Sequence, residues 1–392
     1  MALRISDRSQ CVMQSEIRNM SIECDKVGGV NLSQGVCDTD VPETVRREAQ
    51  KAIDDGLNSY TRYDGIEELR LAIARKLQRL YGLTVDPEQE IIVTSGATGA
   101  FYCACLALLD PGDEVVIFEP YYGYHVSTLQ AVGLRPAYVP LAPPTWSLRP
   151  EALERVIRPK TRGIMINTPG NPTGKVFSID ELQMIASFAQ EHDLFVFTDE
   201  IYEHFVYDGR RHVCPLALPR MRERTIAISG LSKTFSVTGW RVGYAIASKE
   251  WARPIGYFSD LVYVCAPAPL QRGVARGLDL LPASFYSDMS MEYAAKRTRL
   301  CRALEAGGLP ARSPEGAYYL MADISRVPGD SSKGRAMNLL AMSGVACVPG
   351  DAFFHEGGGE SLGRFCYAKK DEELDEACRR LAGLGLSMRA RS

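Results

Sequence analysis

The sequence has few histidines and tryptophans, five and three in 392 residues. His192 and His204 are too far apart for a helical ligand pair, and no other spacing suits an ion, so no metal centre is expected. No apolar run approaches the ~20 residues of a membrane span. The first twenty residues, MALRISDRSQCVMQSEIRNM, carry charges where a secretory signal needs its apolar stretch, which predicts a cytoplasmic protein. The net charge is −3, so neither nucleic acid nor an anionic membrane is favoured as a partner. Internal repeats and low-complexity linkers are absent. No G-x-G-x-x-G follows an apolar strand, which argues against a dinucleotide fingerprint.

Hydrophobic residues make up 46% of the chain and charged residues 24%, as in ordinary globular proteins. The length suits two domains rather than one core. The 11 cysteines are odd in number and scattered, which fits free thiols in a reducing compartment. Cys103 and Cys105 form the one close pair. They lie in the apolar helical stretch Ala100–Leu109, where packing explains them better than metal or redox chemistry.

The middle of the chain alternates short apolar strands with helical segments. The strand candidates are 91–95, 114–118, 137–141, 163–167, 194–200, 225–229 and 242–247. A helix is expected over about 98–109. Residues 178–192 have apolar positions at helical spacing, with Ser178 as N-cap and Glu181 three residues on. Strands alternating with helices predict an α/β fold, with a mostly parallel sheet sandwiched by helices. Residues 283–307 read as one long helix. Short strands follow at 317–322, 345–348 and 364–368, and a last helix at about 371–386. The expected division is a large domain over 46–284 and a smaller α+β domain built from 1–45 and 285–392. A site would then lie between them, outside the carboxyl ends of the strands.

Lys233 carries the chemistry. It follows the apolar run Thr225–Ser229 and the small residues Gly230 and Ser232, and Arg241 comes eight residues later. A desolvated lysine has a lowered pKa and becomes an amine nucleophile able to form a Schiff base. An arginine fork beside it suits a phosphate. Together they are what pyridoxal 5'-phosphate requires. Such a cofactor needs a carboxylate for its ring nitrogen, and Asp199 stands at the end of a strand. Tyr202 and Asn171 could hydrogen-bond the ring's phenolate oxygen. Gly96, Ala97 and Thr98 open a helix after a strand and could direct N–H groups at an anion. Tyr122 could stack on a flat ring. Each residue also has a plain structural explanation, from turn chemistry to core packing.

The stretch Gly230-Leu-Ser-Lys-Thr-Phe-Ser-Val-Thr-Gly-Trp-Arg-Val-Gly243 resembles the lysine signature of class I aminotransferases, fold type I pyridoxal phosphate enzymes. Asn31–Gly35, Tyr60 with Gly65–Arg70, Asn171–Gly174, Asp199–Tyr202, Pro314–Tyr318, Val348–Gly350 and Arg364–Ala368 follow in the family's order. The resemblance implies that Lys233 holds the cofactor, with Ser232 beside it in the phosphate cup. Arg364 would grip the substrate α-carboxylate, with Gly35 and Asn171 against the substrate. Tyr60 would reach the cofactor phosphate of a neighbouring subunit, which implies a homodimer with shared sites. Two positions depart from the pattern. Aspartate- and prephenate-type relatives often carry a lysine where this chain has Thr98. Many relatives place a hydroxyl in the loop 264–267, where this chain offers only Cys265.

The expected activity is transfer of the amino group of a neutral L-amino acid, aromatic or medium-sized apolar, to a 2-oxo acid by a ping-pong route. Alternatives on the same fold are a carbon–sulfur β-lyase, a decarboxylase and an aspartate-specific aminotransferase. A pyridoxal-phosphate-sensing transcription regulator would need a DNA-binding domain ahead of residue ~30. A catalytically dead scaffold would not need the full set of site residues.

Overall fold

The structure is a computed structural model; it describes residues 3–10 and 14–389. Parts of the N-terminal stretch read above for targeting, and Cys11, lie outside the described residues. In chain order the strands are β1 (Val30–Asn31), β2 (Ile91–Ser95), β3 (Glu114–Glu119), β4 (Arg135–Pro140), β5 (Thr161–Asn167), β6 (Phe195–Asp199), β7 (Thr225–Gly230), β8 (Val242–Ile246), β9 (Tyr319–Asp323), β10 (Val345–Ala346), β11 (Val348–Pro349) and β12 (Leu362–Cys366).

Seven of them form the central sheet in the order β2-β8-β7-β6-β5-β3-β4. The pairs from β7 through β4 are parallel, and β8 runs antiparallel to both neighbours. Side chains alternate across the sheet as a strand requires. Val115 and Ile117 join the apolar core on one face, with Phe101, Cys103 and Cys105. Val116 and Phe118 join the core on the other, with Leu182 and Ile185. Helices therefore cover both faces, and Cys103 and Cys105 are packing residues. Helix Ile179–Glu191 starts on the expected capping box: Ser178 Oγ accepts from Glu181 N at 3.2 Å, and Glu181 Oε2 accepts from Ser178 N at 3.0 Å.

The later part of the chain differs from expectation in detail. Residues 345–348 do not form one strand. Val345–Ala346 pairs in parallel with Val30–Asn31, while Val348–Pro349 joins the three-stranded sheet β11-β12-β9, so the chain changes sheets at Cys347. The strand expected from Ala317 begins at Tyr319, because Ala317 has a left-handed backbone with φ 53° that cannot continue an extended strand. Long helices span Ala283–Ala306 and Asp371–Arg389, and they pack on each other. Among the described residues, no helix is long and apolar enough to cross a membrane. Among the described residues, ten cysteines stand unbonded.

Candidate active site

Register explains why Lys233 and Arg241 lie on one loop. β7 and β8 are antiparallel neighbours, with Gly230 opposite Gly243. The loop between them turns back over the sheet edge where β2, β5 and β6 also end. Asn167 pairs with Asp199 on that edge, and Ser95 pairs with Val242. One short loop therefore sets both cations above the strand ends that carry the acid and the glycine turn.

A cavity of about 450 Å³ opens there. It is lined by Gly35, Ala97, Thr98, Tyr122, Asn171, Asp199, Tyr202, Ser232, Lys233, Arg241 and Arg364, all of them expected site residues. Gly96 stands just behind the lining. Its φ of 75° suits glycine, and a Cβ there would lie 2.3 Å from Arg241 Nη2. Tyr60 and Cys265 are not part of this lining. Tyr60 is 83% exposed.

Lys233 is half-buried, and its Nζ donates to Gly35 O at 3.1 Å. Burial lowers its pKa, with the nearby Arg241 charge acting in the same direction, as an amine nucleophile needs. Gly35 also accepts from Tyr318 OH at 3.2 Å, and a Cβ on it would overlap the Tyr319 hydroxyl. Only glycine lets the backbone come this close to the lysine. Asp199 is buried, with Oδ2 at 3.0 Å from His125 Nε2 and Oδ1 accepting from Ile201 N at 3.3 Å. Tyr202 OH lies 3.0 Å from Tyr319 OH, and burial followed by the Tyr319 contact pushes its pKa well up, keeping it a neutral donor.

Arg364 is fully buried on the central strand of the small sheet, facing Met321 and Val348. Nη1 donates to Asn171 Oδ1 at 2.8 Å and Nη2 to Ser33 O, while Nε has no protein partner. Its guanidinium stacks over Tyr319 at 4.4 Å and Phe353 at 5.2 Å. An orphaned, buried guanidinium N–H costs free energy unless a ligand satisfies it. Asn167 Oδ1 accepts from Asn171 N at 2.7 Å, and Asn167 Nδ2 donates to Asp199 O at 3.2 Å. This chain of bonds joins the arginine end of the cavity to the aspartate end.

Several residues escaped the sequence reading, Asn167 and Tyr124 among them. His125 lies three positions after Tyr122, on the first turn of helix Gly123–Ala131, and that spacing was the available signal. Tyr319 adjoins the Pro314–Tyr318 motif. Arg18 lines the cavity from helix Glu16–Lys26, and nothing in its local sequence marks it.

The donor set fits a flat phosphate-bearing aldehyde. Arg241, Ser232 and the 96–98 turn could hold a phosphate, Asp199 a ring nitrogen, and Lys233 the aldehyde carbon. The unsatisfied Arg364 Nε and the open approach over Gly96 leave room for such a ligand.

Comparisons with known proteins identify the family. Residues 27–381 match the family Aminotransferase class I and II. Aromatic-amino-acid aminotransferase 2 of Thermococcus litoralis is 36% identical over 97% of this chain and 97% of its own. The solved structure of N-succinyldiaminopimelate aminotransferase from Mycobacterium tuberculosis superposes with a TM-score of 0.94 at 36% identity, covering 97% of this chain and all of that one. YbdL from Escherichia coli, whose structure report identifies a methionine aminotransferase function, superposes with a TM-score of 0.93 at 31% identity, covering 98% of this chain and 100% of that one. The fold is that of fold type I aminotransferases. The chain belongs to the class I and II aminotransferases.

Proposed function

We propose that this aminotransferase uses pyridoxal 5'-phosphate to move the amino group of a neutral L-amino acid, aromatic or medium-sized apolar, to a 2-oxo acid. One observation carries the cofactor reading: Lys233, with its lowered pKa, shares a cavity with Asp199 at one side and the unsatisfied Arg364 at the other. When bound, the cofactor supplies an electron sink for the substrate's α-carbon. Asp199, held by His125, keeps the ring nitrogen protonated. Tyr202 and Asn171 offer hydrogen bonds to the ring oxygen. Arg241, Ser232, Gly96, Ala97 and Thr98 hold the phosphate, and Tyr122 packs against the ring. Arg364 orients the α-carboxylate, with Gly35 and Asn171 beside it. Lys233 Nζ takes up and returns the α-proton as general base and acid.

The neutral-donor reading rests on Thr98, which offers no charge to a side-chain carboxylate, and on the nearby rings of Tyr122 and Tyr124. A carboxylate buried beside Thr98 would have no partner at that turn, which costs several kcal/mol. We further assign residues 46–284 to a large domain and 1–45 with 285–392 to a small one. The pairing of Val30–Asn31 with Val345–Ala346 supports that division. A homodimer with shared sites is supported by the exposed Tyr60 and by Leu261, 79% exposed on helix Lys249–Tyr263. A cytoplasmic setting suits the ten unbonded cysteines.

The test is a panel of amino donors with 2-oxoglutarate, with pyruvate and with no acceptor. Phenylalanine or methionine should exceed aspartate in kcat/KM, and product should require an acceptor. Product without acceptor would move the reaction to a β-lyase or decarboxylase.

A further inference from the structure

The cavity holds one more cation than a cofactor and an amino-acid head group can use. Its charged lining residues are Arg18, Asp199, Lys233, Arg241 and Arg364. On the reading above, from which this inference starts, Arg241 meets the phosphate, Asp199 the ring nitrogen, Lys233 the aldehyde carbon and Arg364 the α-carboxylate. Arg18 is left without an anion. Its guanidinium forms no ion pair or hydrogen bond with the described residues; its backbone N–H donates to Ser15 O at 3.0 Å. Two of the three acids on its helix are engaged elsewhere: Glu16 Oε1 accepts from Lys333 Nζ at 3.1 Å and Asn19 Nδ2 at 3.2 Å, and Glu23 pairs with Lys26 at 2.7 Å. The third, Asp25, lies seven residues from Arg18 on the same helix.

We propose that Arg18 is the residue that reads the second carboxylate whenever a dicarboxylic 2-oxo acid is the acceptor. Position supports this. Arg364 is fully buried, while Arg18 is an exposed residue that still lines the same cavity. A substrate gripped by its α-carboxylate at the inner arginine would extend its distal end toward the outer one. The two arginines are also carried on segments tied to each other. Ser21 Oγ lies 3.3 Å from Ser33 Oγ, and Ser33 O accepts from Arg364 Nη2. Ile17, next to Arg18, packs into the apolar cluster that contains Phe353, and the Phe353 ring lies against the Arg364 guanidinium. The helix that carries Arg18 is thereby fixed relative to the α-carboxylate grip.

Chemistry completes the case. Arginine presents a planar fork that matches a carboxylate with two parallel hydrogen bonds. Thr98 supplies no competing cation. Because Arg18 is exposed, its long stem can turn to solvent when an apolar donor side chain enters. One cavity thus accommodates a neutral donor in one half-reaction and a dicarboxylic acceptor in the other.

The test uses the holoenzyme with two variants, Arg18→Gln and Arg18→Lys. Glutarate, which has two carboxylates and no reactive carbonyl, is titrated by calorimetry beside butyrate, which has one. In parallel, the ratio of kcat/KM for 2-oxoglutarate to that for pyruvate is measured with one fixed donor. Arg18→Gln should weaken glutarate about 30-fold more than butyrate, the scale of a charge-assisted pair. It should lower the acceptor ratio by a similar factor, chiefly through KM, and Arg18→Lys should restore part of both. An unchanged ratio, or an equal loss for glutarate and butyrate, overturns the assignment. An enzyme that aminates neither acceptor would instead refute the proposed transamination, and the glutarate titration would still decide the role of Arg18.

Discussion

His125 Nε2 lies 3.0 Å from Asp199 Oδ2, with both side chains buried. Phe101 and Tyr122 meet the imidazole edge-on at 5.4 Å and 5.2 Å, so the ring cannot turn freely. An imidazole N–H in this place would fix the carboxylate's orientation toward the cavity. His125→Phe should lower kcat roughly 10-fold, and Asp199→Ala by ~10²-fold or more, while cofactor retention falls less in both. His125→Asn, which keeps a donor, should recover part of the loss. Equal rates for His125→Phe and wild type at saturating cofactor would remove His125 from the positioning role.

Lys233 should be the residue tagged when the holoprotein is treated with borohydride, and Lys233→Ala should abolish both the tag and nearly all turnover. The same lysine weakens the cofactor-free protein. Burial, aided by Arg241, lowers its folded pKa below the ordinary 10.5. Below the folded value, the native state carries a charge that the unfolded chain solvates better. That penalty is full at low pH and fades as pH rises from the folded pKa toward 10.5. Lys233→Met should therefore raise the Tm of cofactor-free protein at neutral pH, with a smaller gain near pH 10. A lower Tm for the variant at neutral pH would contradict the sign.

Beneath the site, Lys76 forms a buried ion pair with Glu203, and Tyr244 OH stands 2.7 Å from the ammonium. Tyr81 OH and Ser229 Oγ also donate to Glu203, at 2.6 Å and 3.0 Å. Burial alone would raise the Glu203 carboxyl, but the Lys76 charge outweighs it and holds the pKa at about 2. Its contribution to stability is present above pH 4.5 and is lost as pH falls toward 2. Lys76→Met should cost about 3–5 kcal/mol by stranding a buried carboxylate, and Lys76→Met with Glu203→Leu should recover most of it. Urea unfolding at pH 7 and pH 3 measures both effects. A double variant as unstable as the single one would show that packing, not charge, sets the loss.

Tyr60 leads to a test of assembly. It is largely exposed and does not line the cavity of its own chain. Sedimentation should give a dimer. Mixing inactive Lys233→Ala chains with a Tyr60 variant of low activity should restore some turnover, because one site in each heterodimer then regains both residues. Full activity in a monomer would end the shared-site reading.

Much of the fold was legible because its signals are local. The buried strands are apolar runs, the Ser178–Glu181 capping box is a four-residue pattern, and Lys233 and Arg241 lie on one hairpin whose strands must pair. Where local geometry intervened, the reading slipped: the left-handed Ala317 delayed one strand, and the change of sheet at Cys347 split another. The site's wiring was not legible. His125 meets Asp199 across 74 positions, and Arg364 meets Asn171 across 193. Such contacts depend on how strands register and how helices settle on the sheet, and periodicity records neither. Arg18 is the plainest case. In sequence it is one charge on a polar helix face, and only the packing of Ile17 near Phe353 sets it over the cavity. The sequence by itself placed Lys233, Arg241 and Asp199 at the strand ends, because they sit on or beside apolar runs that must pair; the tertiary structure decided which distant groups contact them and which further charge lines the cavity.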